Sequence, residues 1–184
     1  MADLKASRVL ILATDGFEHD ELFAPRQALL DAGAEVTLAS IKTDPIQGVK
    51  NDSDPTETIT PDLTLDQVDP DDYHALLLPG GVGNPDKMRL EDKAIDIVEA
   101  FMDDDKIVAA ICHAPWLLVE ADVVDGRRVT SWPSVRTDLE NAGGDVVDEE
   151  VVVDGNLITS RNPGDIPAFN KALIEALEKV GEDA

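Results

Sequence analysis

Three short stretches, residues 8–13 (RVLILA), Ala75–Leu78 (ALLL) and 107–111 (IVAAI), are apolar with almost no alternation. A strand apolar at every position is buried on both faces, which in practice means a parallel sheet covered by helices on each side. The intervening segments supply those helices. The spacing predicts helices over residues 18–32, closed by Gly33, over 91–103, from just after Cys112 to about 121, over 134–142 before Gly143-Gly144, and over 166–180. Further strands are expected at Glu35–Ser40 and 128–131, and residues 151–159 read as a hairpin turning at Asp154-Gly155. Residues 47–62 are polar and turn-rich, with one short edge strand expected near 57–60. The fold class is therefore α/β, a three-layer sandwich with a mostly parallel central sheet and helices on both faces. With no repeat, linker or low-complexity tract, residues 1–184 are expected to form one domain, frayed over the first few residues and the last four.

The charge balance narrows the partners. The chain carries 15 basic and 39 acidic side chains, a net charge of −24. Such a surface repels nucleic acid, and no basic stripe offsets it. The acids cluster in turns and on helix faces between regular apolar segments, so the pattern is an acidic shell on a folded protein rather than disorder. It resembles the cytoplasmic proteins of halophiles, and self-repulsion should make the fold depend on salt. The N-terminus, Met-Ala-Asp-Leu-Lys, has no apolar leader, no run approaches a membrane span, and one cysteine permits no internal disulfide. A reducing cytoplasm is the expected location.

In a sheet of this kind, sites lie beyond the carboxyl ends of the strands. Three segments fall there: the turn after Ala13, the glycine turn after Leu78, and Cys112. Cys112 stands on a sharp turn between a buried strand and a segment with Pro115 in its first turn, the cysteine form of a nucleophile elbow. Backbone amides and a helix N-terminus should lower the thiol pKa there. His113 follows directly. Glu18, at the turn after the first strand, reads either as an ordinary acid beginning a helix or as a carboxyl facing the thiol. Gly80 and Gly81 permit a tight turn, and their N–H groups, with that of His113, offer an oxyanion site. His19 lies on the first site loop, and His74 reads as a surface residue. The Gly-Gly-Val-Gly run lacks nucleotide-binding spacing, and no metal-ligand spacing appears, so no cofactor is expected.

Several ordered motifs together resemble the ThiJ/PfpI superfamily: Asp15-Gly16-Phe17-Glu18, Leu78-Pro79-Gly80-Gly81, Ala110-Ile111-Cys112-His113-Ala114-Pro115, Thr130-Ser131-Trp132-Pro133, and Val153-Asp154-Gly155-Asn156 leading to Ser160-Arg161-Asn162-Pro163-Gly164-Asp165. The resemblance spans roughly residues 8–177 and is closest to the PfpI-type intracellular proteases and their deglycase relatives. It implies the flavodoxin-like fold shared with class I glutamine amidotransferases, with Cys112 as nucleophile, His113 beside it, Glu18 as the carboxyl near the sulfur and Gly81 in the oxyanion site. It also implies self-association as a dimer or hexamer, with an acid from the neighbouring subunit orienting the histidine. Asp86 stands at that position, one methylene shorter than the usual glutamate and after a glycine loop one residue longer. Trp132 replaces a tyrosine near the pocket, and Ala114 a glycine after the histidine.

The function implied is a cysteine-dependent hydrolase without cofactor, acting on peptides or glycation adducts. The alternatives are glyoxalase-type conversion of methylglyoxal to lactate, in which the substrate is a small dicarbonyl, and a redox-sensing stress protein or chaperone in which Cys112 is oxidised. No histidine–glutamate pair late in the chain supports glutamine amidotransfer.

Overall fold

The computed structural model describes residues 4–183. The chain begins with β1 (Arg8–Leu12), a short β2 (Phe17–Glu18) and α1 (His19–Asp31), followed by β3 (Glu35–Ser40). The polar stretch forms β4 (Ile46–Lys50), β5 (Asp54–Ile59) and β6 (Leu63–Thr64). Next come β7 (Ala75–Leu78), α2 (Gly83–Met88), α3 (Asp92–Asp103), β8 (Ile107–Ile111) and α4 (Pro115–Glu120). The last third contains β9 (Arg128–Val129), α5 (Arg136–Asn141), β10 (Asp145–Val146), β11 (Val152–Asp154), β12 (Leu157–Ser160) and α6 (Ile166–Asp183).

Seven strands form the central sheet in the order β11-β12-β8-β7-β1-β3-β6. Neighbours are parallel except β11 against β12, the hairpin read at Asp154-Gly155. The apolar runs occupy β1, β7 and β8 at the middle, and the strand pleat deals their side chains alternately to two cores. Leu10, Leu12, Leu76, Leu78, Val108 and Ala110 pack with Ile97 and Phe101 of α3, Leu117 of α4 and Leu139 of α5. Val9, Ile11, Leu77, Ala109 and Ile111 pack with Leu22 and Leu29 of α1 and with Phe169, Leu173 and Leu177 of α6. Each of the larger side chains contributes about 1.5–3 kcal/mol on burial, so the strand ends carrying the site stand on a rigid base. No helix among the described residues is long and apolar enough to cross a membrane.

Three expectations need correction. The stretch 47–62 is not a loop with one short edge strand. It is a hairpin, β4–β5, joined to β2 in a separate three-stranded sheet. Pro55 and the acidic residues of β5 erase the alternation that would have marked it, as suits an exposed edge strand. Strand 128–131 shortens to β9, which pairs only with β10. Its continuation is drawn into the site, where the Thr130 N–H donates to Thr159 Oγ1 at 3.0 Å. At the C-terminus, α6 runs to Asp183, over residues expected to fray; the expectation for residues 1–3 and Ala184 lies outside the described residues.

The acidic shell carries a prediction. With 39 acidic and 15 basic side chains, most acids have no cation to pair with. Asp148 is an exception, bridging Arg136 at 2.8 Å and Arg161 at 2.9 Å. Raising potassium chloride shortens the screening length from about 10 Å at 0.1 M to about 3 Å at 1 M. A gain of about 2–3 kcal/mol would raise the Tm of a chain this size by about 5–10 °C. Thermal melts across a potassium chloride series measure it, and a flat Tm would show that repulsion does not limit this fold.

Candidate active site

The site assembles where β1, β7 and β8 end. Cys112 follows β8 with φ +65°, a left-handed conformation that few residues other than glycine adopt. Its own backbone bonds hold it there: the Cys112 N–H donates to the Ser160 carbonyl at 3.0 Å, and its carbonyl accepts the Trp132 N–H at 2.9 Å. Pro115 starts α4 immediately afterwards. The strained elbow that the sequence predicts is therefore present.

The expected low thiol pKa is not. Cys112 is 5% exposed. Burial pushes the thiol up, and so does the neighbouring Glu21 when ionised; the amides of Gly81 and His113, directed at the sulfur, oppose both. The expectation rested on a helix N-terminus, but α4 has only six residues, too little dipole to outweigh desolvation. Burial thus works against the thiolate at this elbow, and the two amides work for it.

The carboxyl closest to this chemistry is also not the one the sequence reading selected. Glu21, in the first turn of α1, is fully buried. Its Oε1 accepts the Gly80 N–H at 3.1 Å, and its Oε2 is enclosed without a well-formed hydrogen bond. Burial, and then the charge of Glu18, push it up to about 8, against the pull of the Gly80 amide and the Cys112 thiol. At neutral pH it carries a proton. Gly80 is pinched between the two groups: a Cβ there would lie 2.6 Å from Glu21 Oε1 and 2.7 Å from Cys112 Cβ. The Gly80 amide is taken up by Glu21; the amides of Gly81, which also faces Glu21, and His113 are directed at the sulfur and are the candidates for an oxyanion site. Gly81 has φ +77° and tolerates no side chain, since a Cβ would meet the Gly16 carbonyl. One signal marked Glu21 in the sequence. It falls on the buried stripe of α1 with Leu22, Pro25 and Leu29, where a charged side chain is rarely found without a partner.

Glu18 lines the cleft above the thiol together with Asn51, Asp52, His113, Trp132 and Pro163. Burial, then Asp52 and Asp20, raise its pKa, while a hydrogen bond from the Asp52 N–H lowers it. Asn51 and Asp52 come from the tip of the β4–β5 hairpin, the element that sequence reading missed. The cleft is small, about 160 Å³.

His113 is 4% exposed. Its Nδ1 lies 3.1 Å from Cys112 Sγ, and its Nε2 lies 3.4 Å from Ser134 Oγ. Trp132 stacks on the ring at 5.6 Å and Trp116 meets it edge-on at 5.1 Å. Burial lowers its pKa, so the neutral ring prevails. With its hydrogen on Nε2 toward Ser134, Nδ1 is free to accept the thiol proton. Buried Asn84 ties the site loops together, accepting the Thr14 N–H at 2.8 Å and donating to the Pro79 and Gly80 carbonyls. His19 turns instead to Asp20, 2.9 Å away. Asp86 is exposed on α2 and does not line the cleft of its own chain.

Comparison with known proteins identifies the family and the fold. Residues 7–176 match the sequence model of the DJ-1/PfpI family. The chain is 44% identical to a deglycase of Pyrococcus abyssi, over 93% of this chain and 99% of that protein. It is 44% identical to general stress protein 18 of Bacillus subtilis, over 94% and 98%. Among solved structures, Drosophila melanogaster DJ-1beta superposes with a TM-score of 0.83 at 30% identity, covering 100% of this chain and 97% of that one.

Proposed function

Because the chain belongs to the DJ-1/PfpI family, we propose that it is a cysteine-dependent enzyme acting on small carbonyl compounds and on the adducts they form with amines and thiols. The observation that carries this reading is the convergence of the Cys112 thiol, the His113 imidazole and two amides on a cleft of about 160 Å³. That volume suits a dicarbonyl or a single modified side chain better than an extended peptide.

In the first step Cys112 Sγ bonds to the electrophilic carbon while His113 Nδ1 takes the thiol proton. The carbon–oxygen π pair moves onto oxygen, where the Gly81 and His113 amides hold the charge. With an aminocarbinol adduct, the thiol adds to the ketone carbon beside the nitrogen-bearing carbon. The hydroxyl on that second carbon then loses its proton and becomes an aldehyde as the carbon–nitrogen bond breaks, the amine leaves with a proton returned from the His113 imidazolium or from Glu21, and reversal of the sulfur–carbon bond frees methylglyoxal. With methylglyoxal, the same hemithioacetal rearranges through loss of its carbon-bound proton and reprotonation of the neighbouring carbon. The thioester of lactate results, and water releases lactate. Glu18 and Glu21 are the carboxyls placed to carry those protons. Asp86 of an adjacent subunit is proposed to orient His113, whose Nε2 meets only the Ser134 hydroxyl, at 3.4 Å, among the described residues.

The test is a panel of methylglyoxal, a methylglyoxal-treated N-acetylated peptide and casein. Turnover of the first two, with casein cleaved slowly or not at all, is the expected result; efficient casein cleavage would restore the peptidase reading. Mixing Asp86→Ala with Cys112→Ser subunits in the same assay should restore activity if the acid acts across subunits. A second reading, a peroxide-sensing stress protein, draws on the similarity to general stress protein 18 and on the amides directed at the sulfur. It requires Cys112 to gain two oxygens from peroxide, measurable by intact mass, in a protein inactive on the whole panel.

A further inference from the structure

The cleft is lopsided in charge. Glu18 and Asp52 line it, and among the described residues no lysine or arginine does. The basic groups on the flanking segments face other partners: Lys50 lies 3.7 Å from Asp20, Lys42 lies 2.7 Å from Asp15, and Lys87 donates to the Asp15 and Gly83 carbonyls. Asp52 is also held in place. Its Oδ1 accepts the Val82 N–H at 3.1 Å, which docks the hairpin tip onto the glycine turn after β7. Its own N–H donates to the Glu18 carboxyl. The tip can reach the cleft because Asn51 and Asp52 both adopt left-handed backbone, φ 51° and 62°, which Asn and Asp tolerate better than most residues.

Resting on the reading that Cys112 is the nucleophile of this cleft, we propose that Asp52 determines specificity: it favours substrates with a positive charge beside the electrophilic carbon, such as carbonyl adducts of guanidinium or ammonium groups, over neutral dicarbonyls, and disfavours oxo acids. A carboxylate already oriented by the protein attracts a cation without further loss of side-chain freedom. Its field also reaches the reacting groups, since the Asp52 charge acts on both Cys112 and His113. The net charge of −24 draws cations to the whole surface, but Asp52 acts locally, and one substitution leaves the global field almost intact.

The experiment measures kcat/KM for neutral methylglyoxal, anionic glyoxylate and the cationic methylglyoxal adduct of Nα-acetylarginine amide. Wild type, Asp52→Asn, Asp52→Lys and Cys112→Ser are compared. Asparagine keeps an acceptor for the Val82 N–H and tolerates the left-handed backbone. The wild type should prefer the cationic probe, and Asp52→Asn should reduce its preference over methylglyoxal by roughly three- to fivefold, the upper range of one exposed ion pair, since Asp52 is exposed. Asp52→Lys should favour glyoxylate. The wild-type preference should also shrink as potassium chloride rises from the lowest concentration that keeps the fold intact to 1 M. This arm does not depend on the variants folding. Selectivity equal in wild type and Asp52→Asn, a wild-type preference for glyoxylate, or a preference indifferent to salt would overturn the proposal. Activity retained in Cys112→Ser would overturn the underlying reading instead, whatever the charge preference.

Discussion

Glu21→Gln should lower turnover by roughly a hundredfold or more, the usual contribution of a positioned acid or base, and should change how stability depends on pH. The substitution keeps the oxygen that accepts the Gly80 N–H and removes only the titration. Glu21 is raised to about 8 in the fold, against 4.5 for an ordinary glutamate. The folded state thus holds this proton more tightly than the unfolded chain does. Its contribution to stability is full below about pH 4.5, declines above that, and is lost as pH rises through 8. At about 1.4 kcal/mol per unit, the loss is several kcal/mol across that window. The glutamine variant escapes it, so urea unfolding at pH 5 and pH 8.5 should show the variant gaining on wild type at the higher pH. A constant difference between the two proteins would mean that Glu21 is not neutral in the fold. Unchanged turnover would reduce it to a packing residue.

Cys112→Ala should lose at least about a thousandfold in turnover, since a covalent mechanism without its nucleophile keeps only binding and the oxyanion amides. Stability should fall little. Alanine occupies the same strained φ of +65°, and the bonds to Ser160 and Trp132 come from the backbone. Loss of activity with an intact melt therefore separates chemistry from folding. A variant that melts far below wild type would show that the thiol also holds the elbow together.

The parts legible in the sequence were those where one physical demand dominates. β1, β7 and β8 are apolar at nearly every position because both faces are buried, and that pattern alone placed the sheet and the strand ends. The elbow at Cys112 was legible because a buried strand stops at a cysteine just before a helix-starting proline. What escaped depended on contacts distant in sequence. The β4–β5 hairpin brings Asp52 to Val82, 30 residues away, and its exposed strand carries no alternation to announce it. Glu18 ends β2 and Glu21 lies three residues on, in the first turn of α1, and only packing against Gly80 shows that Glu21 reaches beneath the thiol while Glu18 faces the cleft. The thiol pKa was misjudged because sequence displays the helix start but not the burial that opposes it.

The central claim is that Cys112 bonds covalently to a carbonyl carbon. Intact-mass spectrometry of enzyme quenched with acid during methylglyoxal turnover tests it most directly, with peptide mapping to locate the modified residue. A transient adduct on Cys112 is expected, decaying as substrate is consumed and absent from Cys112→Ser. Turnover by Cys112→Ser at the wild-type rate, or an adduct confined to lysine and arginine side chains while product accumulates, would contradict it.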